Sequence, residues 1–293
     1  MPATAIFRHE LRGLSGNWLV RLWLPAAALL AILTVTGGWS ALPDRVMIGS
    51  LMFPFLVFPW FIVALVLGVS PVTGARAEAL ADGILSRPIT RHEYLWAAWA
   101  ARVVVVLGVY LIVVVPAVAI VVFAQRPAPS DQVTLYGTSA GLALVGLVQA
   151  FLVSLGFLAG TLLKRPLLAT VVLLFVWYPV NLVLNVFALE EFSPISLNQA
   201  MPTLLAQSWR AEELSGEAAA SEKDMEAMAR EAARFLSVLS GQPQAPAEPP
   251  RRPRFFERDE FQDFALWRVV LGYGIPTALG VALATIVFCR RDF

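Results

Sequence analysis

His9-Glu10 and His92-Glu93 are the two places where an imidazole and a carboxylate stand side by side, and hydrolytic or metal chemistry would be sought there first. Neither pair supports it. The runs read RHEL and RHEY, not H-E-x-x-H, so no second imidazole follows one helical turn later to complete a zinc site. The single cysteine, Cys289, excludes an internal disulfide and has no histidine partner in its neighbourhood of the sequence. Phosphate binding is equally unsupported: no G-x-x-x-x-G-K-[ST] run is present, and Lys164 and Lys223 lie outside any glycine-rich context. The chain is not expected to be an enzyme, nor to bind ATP or a metal itself.

The densest chemistry is instead a charged connection between apolar runs, "LSRPITRHEYL" at 85–95, preceded by Glu78 and Asp82. A short helix fits 74–86, with Ala75, Leu80, Ile84 and Leu85 apolar and Arg76, Glu78 and Asp82 polar. The Arg87-Pro88 bond ends it, because a residue before proline is pushed out of helical geometry. Thr90 and Glu93 then have capping-box spacing, so a new helix is expected to start there as a stiff rod. Arg87 and Arg91 could serve only to hold a loop on the cytoplasmic side, but the proline stop and capped restart specify more than topology requires.

The elements around this connection are membrane elements. Hydrophobic residues make up 58% of the chain and charged residues 15%, against roughly 45–50% and about 25% in soluble domains. Six stretches approach or exceed the ~20 apolar residues needed to cross a bilayer core: 19–40, 46–69, 95–123, 135–163, 167–189 and 264–288. Kinks are expected at Pro54, Pro59, Pro116, Pro179 and Pro276, since prolines are tolerated where neighbouring helices satisfy the freed carbonyls. The second span is expected to end at Ser70-Pro71. Arg8, Arg12, Arg76, Arg87, Arg91, Lys164, Arg165, Arg290 and Arg291 fall on one side of this topology, and only Arg45 and Arg126 in the short loops of the other. Both termini are therefore expected in the cytoplasm, in a multi-pass protein of the inner (plasma) membrane. Arg21 and Arg102 are placed to snorkel to cytoplasmic headgroups.

The expected architecture is thus all-α and integral to the membrane. Residues 1–18 form a cytoplasmic interfacial helix with Phe7, Leu11, Leu14 and Trp18 as its stripe. Five spans and the connection at 71–94 occupy 19–190, a helical extracytoplasmic insertion 191–262, and the last span and tail 263–293. Within the insertion, the half-apolar stretch 191–209 suits a membrane-surface or re-entrant piece. Ser221 to Leu239 reads as a helix with Met225, Met228, Ala232, Phe235 and Leu239 on one face, and a proline-rich connection follows it. Gly137/Gly141 and Gly156/Gly160 give the fourth span small faces for close helix contact. Gln149, Asn181 and Asn185 are the neutral polar residues that would line a pathway across the membrane or bond one helix to another. No acidic relay crosses the spans, so coupling to a proton or cation gradient is not expected.

Glu78 followed by "DGILSRPITRHEYL" resembles the loop between the second and third spans of permeases of the type 2 ABC exporter family, and "FCRRDF" resembles that family's cytoplasmic end. The loop departs from the family pattern at Gly83-Ile84, where Gly-Thr is usual. The resemblance implies a six-span permease subunit whose loop is a coupling helix docked on a cytoplasmic ABC ATPase. Glu78, Asp82, Arg87, Arg91, His92 and Glu93 would be the coupling residues. It implies two ATPase copies carrying the ATP and Mg²⁺, and a second permease chain completing a homodimer or heterodimer. The function implied is export or extraction of a substrate. The alternative, suggested by the nitrous-oxide-reductase maturation group of that family, is a mechanical transmitter acting on an extracytoplasmic partner. Membrane lipid is an expected partner and nucleic acid is not.

Overall fold

The computed structural model describes residues 2–77, 90–124, 126–127, 131, 133–163, 165–186, 192–207 and 266–290. These are 90% helical, with no strand among them. Nine helices follow one another among the described residues: α1 (Pro2–Gly16), α2 (Trp18–Gly38), α3 (Asp44–Leu56), α4 (Trp60–Ala77), α5 (Arg91–Phe123), α6 (Leu135–Leu162), α7 (Pro166–Val186), α8 (Pro194–Ala206) and α9 (Leu266–Arg290). Five segments are long and apolar enough to cross a membrane: α2, the α3–α4 pair over Asp44–Val69, His92–Phe123 of α5, α6 and α9. A shorter apolar stretch, Pro166–Asn181, lies in α7. The chain is an α-helical protein embedded in a membrane.

The bundle is organised around α6, whose most extensive packing is against α4 and then α9, with α5, α8, α7 and α3 also touching it. Glycine explains why it can be central. A Cβ on Gly156 would lie 2.6 Å from the Leu65 carbonyl oxygen and 3.0 Å from Gly68 Cα, and one on Gly160 would lie 2.6 Å from the Val69 oxygen. The two backbones meet there without side chains between them, the close approach that small-xxx-small faces permit. Gly137 plays the same part at the other end of α6, where a Cβ would come within 2.5 Å of the Leu204 oxygen of α8.

The two ends of the bundle are tied differently. At one, Tyr94 and Leu95 of α5, Phe157 of α6 and Ala284 and Phe288 of α9 form a cluster that Ile6 of α1 joins, so the chain's first helix and the end of its last meet there. At the other, buried Arg126 beyond α5 forms an ion pair with Asp44 and stacks over Trp39, with its Cζ 6.0 Å from the ring centroid. Beside it, the Thr134 amide donates to the Leu205 carbonyl at 3.0 Å, and the Thr134 hydroxyl caps the Gly137 amide at 2.9 Å. This fastens the start of α6 to the end of α8, a 13-residue helix whose inner face carries Leu197, Met201, Leu204 and Leu205.

Three expectations need correction. The helix of the second span does not end at Ser70-Pro71 but continues through it to Ala77. Proline's φ is itself helical and its ring removes a single donor, so the flanking turns carry the helix past it. Trp18 is not on the stripe of α1; it is 71% exposed and opens α2, because the Asn17 side chain accepts the Leu19 amide at 3.1 Å and starts a new helix there. The stripe is Phe7, Leu11 and Leu14. Arg102 does not snorkel. It is 4% exposed, donates to Glu10 of α1 at 3.2 Å and to its own helix at the Ala98 carbonyl at 2.6 Å, and fastens α1 to α5. An internal carboxylate satisfies the guanidinium more closely than a distant headgroup does.

Candidate functional site

The charged connection that dominates the sequence lies for the most part outside the described residues: Glu78, Asp82 and Arg87 are among 78–89. The helices that flank it are described. The backbone of α4 is helical to Ala77, and Arg91, whose side chain is outside the description, is the first residue of α5. The expected capping box is present: Thr90 sits extended at φ −76° and ψ 142°, and its amide donates to Glu93 Oε2 at 3.2 Å. His92 Nε2 lies 3.2 Å from the Thr90 hydroxyl. From this cap α5 runs 33 residues to Phe123, a rod of roughly 50 Å at 1.5 Å per residue. α5 packs on α1, and the Arg102–Glu10 pair bridges the two helices.

The second flank behaves differently. Residues 57–59 separate α3 from α4, and the Phe55 carbonyl would ordinarily accept from residue 59, which is a proline without an N–H. Gln149 of α6, fully buried, donates its side-chain amide to that carbonyl. The residue singled out as a polar group in mid-span thus bonds one helix to the break in another. α4 meets α6 through the glycine contact, while α3 packs on α8 and is tied to α6 by the Gln149 bond.

The third element is a cleft of about 580 Å³ floored by Phe151 and Leu155 of α6 and walled by α7 and α9. Asn181 lines it and is almost wholly buried, its Nδ2 donating to the Trp177 carbonyl at 2.8 Å and its Oδ1 accepting from Ser193 Oγ at 3.4 Å. The Tyr273 hydroxyl donates to the Phe192 carbonyl at 2.7 Å and closes one end. Asn185 lies on the helical backbone of α7, and its side chain is outside the description.

The structure brings Asn181 to this cleft and Gln149 to the α3–α4 break, and places His92 and Glu93 at the head of α5. These are separate places, not one centre. Sequence reading missed Phe192, Ser193 and Tyr273 as a group, because they meet only when α9 returns to the bundle after residues 208–265. It also missed the Glu10–Arg102 pair. An arginine within the third span was the available signal, since intramembrane charges are commonly partnered. Among the described residues no cluster of three or more His, Cys, Asp or Glu is placed to hold a metal. No family model matches the chain, and no curated protein matches it.

Proposed function

We propose that the chain is the permease subunit of an ATP-binding-cassette transporter, coupling hydrolysis by a separate cytoplasmic ATPase to export or extraction of a substrate. The observation that carries the reading is the sequence of the connection itself: acidic Glu78 and Asp82, then Arg87-Pro88, then the Arg91-His92-Glu93 restart. The connection joins α4, which packs chiefly on α6, to α5, which packs chiefly on α1 and also on α6, so a displacement there would act on both pairs. In this reading α7 is the fifth of six spans, completing the set with the five long segments, and α1 is an interfacial elbow. The even number of spans agrees with α1 and the end of α9 meeting at one end of the bundle, which the arginine distribution assigns to the cytoplasm. The complex contains two ATPase copies and a second permease chain, in the inner (plasma) membrane.

The test is an Arg87→Glu/Arg91→Glu double variant. Loss of one partner from partly buried interfacial charge pairs costs on the order of 2–5 kcal/mol, so the variant is expected to insert normally but no longer retain or stimulate an ATPase in pull-down and hydrolysis assays. Lys223→Glu, on the other side of the membrane, serves as the control. Unchanged retention and stimulation in the double variant would reduce the connection to a topological anchor and remove the proposal's support.

A further inference from the structure

The cleft between α7 and α9 has a depth and a chemistry that together specify an occupant. Both walls pack on α6, or on its neighbours, and little on each other, which leaves a lateral slot. Val176 and Val180 stand at its lip, 53% and 45% exposed on a helix whose outward face is mostly apolar, with Leu167, Leu168, Val171, Phe175 and Val183 beside Tyr178, so the slot opens toward hydrocarbon. The polar groups that reach it are already engaged, Asn181 with Trp177 and Ser193, and Tyr273 with Phe192. Ordered water needs two or more polar partners, and the lining offers no such set.

The dimensions narrow the choice. The lining on α7 runs from Leu173 to Leu184, about 16 Å along the axis at 1.5 Å per residue. One leaflet of a bilayer core is about 15 Å deep, half of the usual ~30 Å. This stretch extends from near the middle of α7 toward its C-terminal end, which is the depth range of a single leaflet. A volume of about 580 Å³ leaves room for a run of methylene groups along that length.

We infer that the cleft is a binding site for one acyl chain of a membrane lipid, with the chain's methyl end toward Leu173 and its polar end near Phe192 and Tyr273. The site belongs to one chain. It depends on the protein being embedded in a membrane and not on any nucleotide-hydrolysing partner, so it stands or falls separately from the permease reading.

The test is photolabelling of the full chain in phosphatidylcholine vesicles that contain lipids with a diazirine either in mid-acyl chain, to reach Leu155, or near the carbonyl end, to reach Tyr273, followed by peptide mapping. Leu155 and Tyr273 are expected to label several-fold more than Leu152 and Phe157, which are buried on α6 away from the cleft. Leu155→Trp, which fills the floor, is expected to abolish labelling of Tyr273; Val180→Trp does the same from the exposed lip if the floor variant fails to fold. Tyr273 labelling no higher than that of Phe157 in the wild type would overturn the proposal. So would efficient disulfide formation between two copies of a Val176→Cys, Cys289→Ser variant accompanied by loss of the lipid label, because a second chain would then be the occupant.

Discussion

Adding a single methyl at Gly156 tests whether α4 and α6 are held together by backbone contact. The new Cβ would sit 2.6 Å from the Leu65 oxygen, 3.0 Å from Gly68 Cα and 3.1 Å from the Val69 nitrogen. Ordinary contact begins near 3.4 Å, so α4 must retreat by about 0.8 Å, and since all three neighbours are backbone no side chain can rotate away to make room. Overpacking of this kind costs about 1–3 kcal/mol. Gly108 of α5 has nothing within 4 Å of the corresponding position, so Gly108→Ala adds a methyl without displacing anything. In a helix the replacement also gains up to about 1 kcal/mol of propensity at either site, which makes the difference between the two variants the informative quantity. Reversible unfolding in mixed micelles is expected to place Gly156→Ala about 1–3 kcal/mol below Gly108→Ala. Gly156→Ala with Gly160→Ala should fall short of the sum, because one outward shift of α4 relieves both clashes. Equal stability of Gly156→Ala and Gly108→Ala would show that the two helices do not approach through their glycines.

Glu10→Ala leaves the buried Arg102 guanidinium with only the Ala98 carbonyl, and a loss of about 3 kcal/mol is expected; Glu10→Leu with Arg102→Met should recover much of it in the same unfolding measurement. Gln149→Leu removes the donor from the Phe55 carbonyl, with an expected cost of about 1–3 kcal/mol and faster amide exchange around residues 56–62. Glu93→Ala opens the capping box, which should appear as faster exchange confined to the first turn of α5 with its remaining turns unchanged.

The helices were legible because each is written as an apolar run with punctuation. The last residues of α5 and α6 fall within a position of their expected ends, and Thr90 begins α5 where its spacing with Glu93 places the cap. Pro71 misled because a proline reads as a terminator, and whether the flanking turns survive depends on what packs around them. Contacts across the bundle were mostly hidden. The glycine pairs pointed to close approach but not to Gly68 and Val69 as their partners, and nothing near Gln149 in the chain names Phe55 as its acceptor. The helix expected over Ser221 to Leu239 and the residues Glu78, Asp82 and Arg87 lie outside the described residues.

The Phe55–Gln149 bond also has a consequence for how the protein is made. As a separate helix α3 is too short to cross a bilayer, since its 13 residues reach only about 20 Å of the ~30 Å core. Insertion must therefore treat Asp44–Val69 as one segment. The glutamine that accommodates its interruption lies 94 residues further along the chain. At a synthesis rate of roughly 5–20 residues per second, the nascent segment waits on the order of 5–20 s for that donor. During that interval the Phe55 carbonyl must find another partner or stay near the insertion machinery, so α3 and α4 reach their final relation only after α6 has been synthesised and delivered beside them.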